Sequence, residues 1–425
     1  MPLSLLIIGT GVAGPTLATL LLSLPARLRP SITLLERSPT LRSQGQNVDV
    51  RGAGVGVIRR LGLEATIRAS TTDEIGVQWV DGQNRAWSQL EADRTGRVQT
   101  GTSDIEILRG RLAEILFEKC RETSKEVEGG VEMIFGDYVQ ELVEEGEKVH
   151  VTFAKSGERR TYDMVVGADG LLSRTRRMVW GEEVERTAVH GLGIWQGFFS
   201  MPKGGRDTMW RRWYHTTGRR GVMIRPHERK DMSTVFMYVV NDVDKRFPDV
   251  VTDGRTGVEA QKALLAEYFA DAGWECPRLV EEMNRADDFY YSPVSQVRMD
   301  SWSKGRVVLL GDAGYCASPI SGMGTTLALT GAYHLAGAIK QNPDNVAAAF
   351  AQYEEKMRLI VDRAQKLPLG GKGFHITNPE TWWGLTIMHF IVAFIYWTRL
   401  GKILFMLVGP KANNISVEDY GFRQL

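Results

Sequence analysis

Three short runs of the chain carry side chains whose types and spacing suit the grip of a dinucleotide. The first is Gly9-Thr10-Gly11-Val12-Ala13-Gly14, which follows the apolar run Leu5-Leu6-Ile7-Ile8 and leads into an apolar stretch from Pro15 to about Leu24, ended by Pro25. Gly9 permits a tight turn, Gly11 lets the backbone approach a pyrophosphate with no Cβ in the way, and Gly14 allows close helix–strand packing. The helix start at Val12 and Ala13 turns its free N–H groups and positive dipole end toward the phosphates. A second strand, Ser31 to Leu35, leads to Glu36 and Arg37. Glu36, roughly 20 residues on, suits the ribose hydroxyls. An acid there favours an unphosphorylated adenosine ribose, hence FAD or NAD rather than NADP.

The second run is Asp163-Met164-Val165-Val166-Gly167-Ala168-Asp169-Gly170-Leu171-Leu172-Ser173-Arg174-Thr175-Arg176. An apolar strand ends in Asp-Gly, and a helix start carrying Ser173 and Arg176 follows. Gly170 takes a conformation closed to larger residues, and Asp169 accepts backbone N–H bonds within the turn. On the residues alone, a purely structural corner is the better reading of this run.

In the third run, Arg306-Val307-Val308-Leu309-Leu310-Gly311-Asp312-Ala313-Gly314, a buried strand again ends at a carboxylate. Asp312 is placed to meet a second ribose-like chain. The run continues through Pro319-Ile320-Ser321-Gly322-Met323-Gly324 into a helix beginning near Thr325. Gly322 and Gly324 leave backbone N–H groups free at that helix start. They would stabilise an anion there, for example the negative charge on the pyrimidine side of a reduced flavin.

With these three runs in hand, the chain resembles the single-component FAD-dependent aromatic hydroxylases, a family that includes para-hydroxybenzoate hydroxylase and the tetracycline-inactivating monooxygenases. Gly9-x-Gly11-x-x-Gly14, Asp169-Gly170 and Gly311-Asp312 occur in the order and spacing of that family's three fingerprints. Glu106-Ile107-Leu108-Arg109-Gly110-Arg111-Leu112 is similar to the family's helix start whose arginine reaches the FAD, a role the resemblance gives to Arg109. The loop Gln44 to Gly52 corresponds to one that runs beside the isoalloxazine ring, which makes Gly45, Asp49 and Arg51 flavin neighbours. Tyr353-Glu354 with Arg358, and Val417-Glu418-Asp419-Tyr420, look like the family's terminal helix and ending. Where the family often carries histidine after its Gly-Asp-Ala-Ala run, this chain has Gly314-Tyr315, and Leu329-Thr330-Gly331 stands where many members have an acid.

The elements that must position these residues are legible more coarsely. At 425 residues the chain is long enough for two domains, or for one large domain with a second packed against it. The expected fold is α/β: a Rossmann-like FAD-binding domain over residues 1–75, 100–180 and 285–365, an inserted antiparallel-sheet substrate domain over 76–99 and 181–284, and a C-terminal helical segment over 366–425 bridging the lobes. Gly193 to Met201, Thr208 to His215, Arg220 to Arg225 and Thr234 to Val240 read as the inserted strands, separated by Pro, Gly and charged turns. Trp195, Phe199, Trp210, Trp213, Tyr214 and Tyr238 lie on them, with Tyr290 and Tyr291 where the chain returns. They read as filling the small domain's core, or, in the sharper alternative, a few of them line a pocket for a flat substrate against the flavin. The tetracycline-inactivating relatives place a substrate-contacting arginine on the strand matching Trp210 to His215, and the resemblance carries that role to Arg212.

Composition bounds the rest. With 52 basic and 51 acidic side chains, net +1, no excess field is available to hold a polyanion, and nucleic acid is not an expected partner. Cys120, Cys276 and Cys316 form no CxxC pair, so no metal cluster or dithiol centre is expected and a reducing, cytoplasmic setting fits. Leu3 to Leu24 has no basic residue before it and reads as strand, turn and helix rather than an export signal. Thr381 to Thr398 carries no formal charge. It reads as a membrane span, as an interfacial helix making peripheral membrane contact through 381–408, or as part of a helix pair packed on both domains, and the resemblance favours the last.

The resemblance implies a monomeric FAD-dependent monooxygenase. NADPH or NADH, bound transiently near Asp169 and Arg176, would reduce the flavin, and O2 would oxidise an electron-rich small molecule through a flavin hydroperoxide. The rivals are a reductase or halogenase on the same fold, whose Trp-x-Trp-x-Ile-Pro signature is missing, and a non-catalytic carrier like the GDP-dissociation inhibitors, against which Glu36 and Asp312 argue.

Overall fold

The computed structural model describes residues 3–42, 45–92, 105–251, 257–398 and 417–423. The parts of the expected domain boundaries and of the 381–408 contact that fall on residues 93–104 and 399–408 lie outside the described residues.

The first apolar run becomes the strand Ser4–Ile8 at the interior of a six-stranded sheet. It pairs in parallel with Met164–Gly167 on one side and Ser31–Glu36 on the other. Val307–Leu309 extends the sheet beyond Met164–Gly167, and Val131–Phe135 extends it beyond Ser31–Glu36. The two-residue alternation of a strand divides its side chains. Leu5 and Ile7 join the core under the helices, whereas Leu6 and Ile8 pack with Val149, Val151 and Phe153 of an antiparallel sheet on the other side. With both faces covered, every position from Leu5 to Ile8 has to be apolar. The carboxyl ends of these parallel strands therefore carry all three glycine-rich turns to one edge.

The helix Ala13–Leu22 leaves the first strand and is buried along its whole length, between the helices Arg109–Lys125 and Gly324–Gln341. Gly14 explains how it packs so tightly: a Cβ there would lie 2.0 Å from the Gly9 carbonyl oxygen.

The inserted strands form a seven-stranded sheet in the order Tyr290–Val297, Val189–Pro202, Met232–Val240, Arg220–Pro226, Arg211–Thr216, Gly76–Val80, Ala86–Glu91. It is antiparallel except for one pair, Arg211–Thr216 with Gly76–Val80, which runs parallel because the two segments arrive from distant parts of the chain. One face packs against the helices Gly257–Phe269 and Cys276–Arg285 through Phe199, Tyr214 and Tyr291. The opposite face gathers Ile194, Met223 and Tyr238, with Trp213, Phe236, Ile320 and Phe374 packed against them. The aromatic residues of these strands are thus split between the small domain's core and a face turned toward the Pro319–Gly324 turn.

The apolar C-terminal stretch forms the helix Trp382–Trp397, which rests on Ala86–Glu91 and Arg211–Thr216. Among the described residues no helix is long and apolar enough to cross a membrane. Residues 417–423 return to the nucleotide side, where Tyr420 is buried against Tyr333 and His334.

Candidate functional site

At the edge where the parallel strands end, Gly9, Gly11, Glu36, Arg37, Arg109 and Asp169 line one cleft. The Gly9 amide donates to the Leu35 carbonyl (2.8 Å), which ties the turn to the neighbouring strand. Glu36 accepts from the Thr10 amide (3.1 Å) and hydroxyl (2.8 Å) with one oxygen and from the Ser38 amide (2.9 Å) with the other. A Cβ on Gly11 would meet nothing nearer than the Arg109 guanidinium, at 3.8 Å. The wall above Gly11 is therefore bare backbone facing a cation. No side chain caps the helix Ala13–Leu22, so its first N–H groups stay available to an anion. A pyrophosphate fits this cradle.

Three further side chains line the same cleft: Arg42, Tyr138 and Arg174. The Arg174 guanidinium lies over the Tyr138 ring at 4.5 Å. Arg174 sits in the Asp-Gly run and carried a basic signal, but Arg42 and Tyr138 come from loops that no motif marks.

Asp169 lines the cleft and also builds its corner. It accepts from the Ser173 hydroxyl (2.6 Å) and from the Thr175 amide and hydroxyl (3.0 Å each), while Ser173 caps the helix through the Arg176 amide (2.9 Å). Arg176 does not reach a groove. It is 0% exposed, is paired with Glu185 (2.6 Å), and donates to the carbonyls of Ala313 (2.7 Å) and Leu171 (2.9 Å). Arg176 therefore does not itself line the groove near which the nicotinamide donor was expected: its donors are turned inward, clamping the Asp-Gly corner to the Gly-Asp-Ala turn.

Beyond Arg109, which lines the cleft, segments from three distant parts of the chain meet. Asn47–Asp49 pairs antiparallel with Glu106–Leu108, and the Arg109 amide donates to the Gln46 carbonyl (3.0 Å). A Cβ on Gly45 would stand 3.2 Å from the Arg109 side chain. Arg51 pairs with Asp49 (2.9 Å), and its amide donates to the Thr326 hydroxyl (3.0 Å). Cβ positions built on Gly322 and Gly324 would lie 3.9 Å from an Asp49 oxygen and 3.8 Å from an Asp312 oxygen. Desolvation pushes the Asp312 carboxyl above the usual carboxylate range, and the nearby Arg109 guanidinium partly offsets this.

Gly45, Asp49, Arg51, Arg109, Asp312, Gly322, Met323, Gly324 and Thr325 are all half-buried and converge here. Pro319 opens the short turn Pro319–Ser321, ahead of Met323 and the uncapped start of Gly324–Gln341. Just before it, Ser318 holds a φ of 73°, a strained value for a residue with a Cβ, and its buried hydroxyl has no hydrogen-bond partner. A polar atom left unpaired beside this turn fits a group that arrives with hydrogen bonds of its own.

Arg212 lies elsewhere. Its strand alternates, so Trp213 and His215 face the aromatic cluster while Arg212 and Tyr214 face the helices. The Arg212 guanidinium bonds the Asn84 carbonyl (3.2 Å) and side chain (2.7 Å). The neighbouring Arg211 points the other way and reaches Glu74 (2.7 Å) and Glu106 (3.5 Å). Arg225 joins the same two acids, bonding Glu74 at 2.9 Å. This buried four-charge group fastens the seven-stranded sheet to Glu106–Leu108, the strand that leads into Arg109. Its members are scattered along the sequence, and nothing in their spacing announced them.

Comparison with known proteins agrees with this geometry. Residues 3–366 match the family model described as FAD binding domain. The chain is 32% identical to the FAD-dependent monooxygenase asL6 of Sarocladium schorii, over 99% of this chain and 98% of that protein. It is 33% identical to the monooxygenase CTB7 of Cercospora beticola, over 92% of each. Among solved structures it is similar to tetracycline destructase Tet(51), with a TM-score of 0.77 and 28% identity over 99% of this chain and 100% of that one. A cradle for a pyrophosphate, a second carboxylate-lined end and relatives matched along almost their whole length lead to one conclusion: the chain belongs to the FAD-binding-domain family and is a FAD-dependent monooxygenase.

Proposed function

We propose that this monooxygenase inserts one oxygen atom of O2 into a planar, electron-rich molecule of aromatic or polyketide-like character, with NADPH or NADH as electron donor. The observation that carries this reading is the aromatic face of Trp213, Phe236, Tyr238 and Phe374, which packs with Ile320 of the turn beside Asp312. The likeness to a tetracycline destructase supports a flat, multi-ring substrate on that face.

Bound FAD supplies the redox chemistry, and the chain supplies binding, orientation and shielding. In the proposed arrangement Gly11, the helix start at Val12 and Ala13, and Arg109 hold the pyrophosphate. Glu36, beside Arg37, takes the adenosine ribose, and Asp169 lines the middle of the cleft. Asp312 takes the ribityl chain. Gly45, Asp49 and Arg51 border the ring, and the uncapped helix start at Gly324 and Thr325 offers N–H groups to its anionic edge. Pro319, Gly322 and Met323 shape the turn before it: the Gly322 amide, expected to be free, donates to the Pro319 carbonyl (3.1 Å), and the Met323 amide to the Ser321 hydroxyl (3.2 Å). The aromatic face keeps water from the reacting centre. Tyr238 is held rigid there: its hydroxyl accepts from the Trp213 indole (3.0 Å) and donates to Asn378 (2.7 Å). We further propose that the enzyme works as a cytoplasmic monomer.

The test is direct. The purified protein should be yellow, and its NADPH oxidation should rise with one or more compounds from a panel of phenols and polyketides, giving a product that gains one oxygen atom by mass. A flavin-loaded protein whose oxidation no compound stimulates, or whose product gains no oxygen, would replace this reading with that of a reductase.

A further inference from the structure

The helix Trp382–Trp397 is apolar on every side. Gly384, Leu385, Met388, His389, Val392 and Ala393 form a half-buried stripe at helical spacing, and His389 stacks on Trp87 with ring centroids 5.4 Å apart. The outward side carries Trp382, Trp383, Ile387, Phe390, Phe394 and Trp397, each more than half exposed, with Trp397 at 78%. Soluble proteins scatter exposed apolar side chains singly, and a contiguous set marks a surface that something covers. A helix that is apolar all round is expected to be covered on both sides.

Charge and aromatic placement identify what covers this one. Between residues 366 and 411 the sequence holds Lys366, Lys372, Arg399, Lys402 and Lys411 against a single acid, Glu380. A stretch of sequence with this basic excess disfavours pairing with a second copy of itself and is attracted to anionic headgroups. Trp382 and Trp383 at one end, with Tyr396 and Trp397 at the other, match the preference of amphipathic rings for the boundary between lipid and water. Sixteen residues reach about 24 Å at the helical rise, short of the roughly 30 Å hydrocarbon layer, so the helix suits lying along a bilayer rather than crossing it.

We propose that the outer face of Trp382–Trp397 seats this enzyme on the surface of an anionic lipid bilayer. The full-length, FAD-loaded protein should sediment with vesicles of phosphatidylcholine and phosphatidylserine. Phosphatidylcholine alone should retain much less protein, and high salt should release part of the bound fraction. Brominated acyl chains should quench its tryptophan emission. Ile387→Ser/Phe394→Ser should weaken vesicle binding by roughly tenfold or more while substrate-stimulated NADPH oxidation in solution stays at the parent level. Trp382→Ser/Trp383→Ser separates lipid contact from any change in packing, since both side chains are largely exposed, and it should weaken binding in the same direction. The idea is overturned if neither vesicle retains the parent protein. It is overturned equally if sedimentation velocity shows a dimer that Ile387→Ser/Phe394→Ser dissolves while vesicles go unbound.

Discussion

Arg51 and Thr326 are bonded reciprocally: the Arg51 amide donates to the Thr326 hydroxyl at 3.0 Å, and that hydroxyl donates to the Arg51 carbonyl at 3.2 Å. The pair joins the loop after Asn47–Asp49 to the helix Gly324–Gln341, the two elements proposed to border the flavin ring. The close packing also needs Gly54 to lack a side chain, since a Cβ there would meet Val50 at 3.2 Å and Thr326 at 3.3 Å.

Thr326→Val keeps the shape of the side chain and removes both bonds. A buried amide left without a partner costs about 1–3 kcal/mol, and most of that should fall on the flavin-bound state, which needs the loop and helix in register. FAD affinity is therefore expected to drop by roughly tenfold, measured as the dissociation constant from flavin fluorescence. Thermal stability of the FAD-free protein should change much less.

Two glycines of the first turn should respond differently to alanine. At Gly14 the new methyl would be driven onto the Gly9 carbonyl oxygen at 2.0 Å, which forces helix and strand apart. Overpacking of this kind costs about 1–3 kcal/mol, and more where backbone must move. Gly14→Ala is expected to lower the unfolding midpoint with or without FAD. At Gly11 the methyl would meet only the Arg109 guanidinium at 3.8 Å, in the space a pyrophosphate needs. Gly11→Ala should leave the urea midpoint of the FAD-free protein nearly unchanged and abolish retention of the yellow cofactor on purification.

The contrast between these glycines shows which parts of the site can be read in one dimension. The spacing of Gly9, Gly11 and Gly14 and the carboxylates at Glu36 and Asp312 are local: each depends on a strand, a turn and a helix that follow one another in sequence. Leu5 to Ile8 could be recognised as a central strand because burial on both faces leaves no room for a polar residue. Arg212 shows the opposite. The resemblance placed its role on a strand, and which face of that strand a residue occupies reverses with a shift of one residue. The Glu74, Glu106, Arg211 and Arg225 group was invisible for a related reason, since charges from four segments meet only after the seven-stranded sheet has docked. Arg176, near which the resemblance put the nicotinamide donor, gave no sign in sequence of where its guanidinium points. Burial against Glu185 makes it a clamp instead.

His334 provides a measurable pH dependence. It is 5% exposed, its ring nitrogen lies 2.9 Å from the Tyr420 hydroxyl, and burial lowers its pKa to about 4. The unfolded chain binds a proton at this residue near pH 6.5, which the folded chain refuses until about pH 4. Its contribution to stability is accordingly complete above about pH 6.5, declines as the pH falls, and is gone near pH 4, a difference on the order of 3 kcal/mol. Urea midpoints measured from pH 7.5 to 4.5 should fall for the parent protein. In His334→Gln, which cannot titrate, the fall should be smaller over the same window. Parallel curves for the two proteins would show that His334 is open to solvent.

Arg211 and Arg212 are adjacent in sequence, and their replacement should separate the two faces of the sheet. Arg212→Ala loses hydrogen bonds to Asn84 on the helix-covered side, the sheet face opposite to Ile320 and the aromatic cluster. About 1 kcal/mol of stability is at stake there, with substrate-stimulated NADPH oxidation expected within twofold of the parent (roughly, from the same bond energy). Arg211→Leu leaves Glu74 and Glu106 buried with one of their arginine partners gone and Arg225 still bonded to both. Breaking a buried charge group by removing one member costs about 3–5 kcal/mol, and the strand it loosens is the one that aims Arg109. The expected result is a large fall in the urea midpoint together with weaker FAD binding. If Arg212→Ala abolished substrate stimulation while leaving flavin binding and stability intact, Arg212 would have to reach the substrate after all, and the assignment of sheet faces to flavin and helices would be reversed.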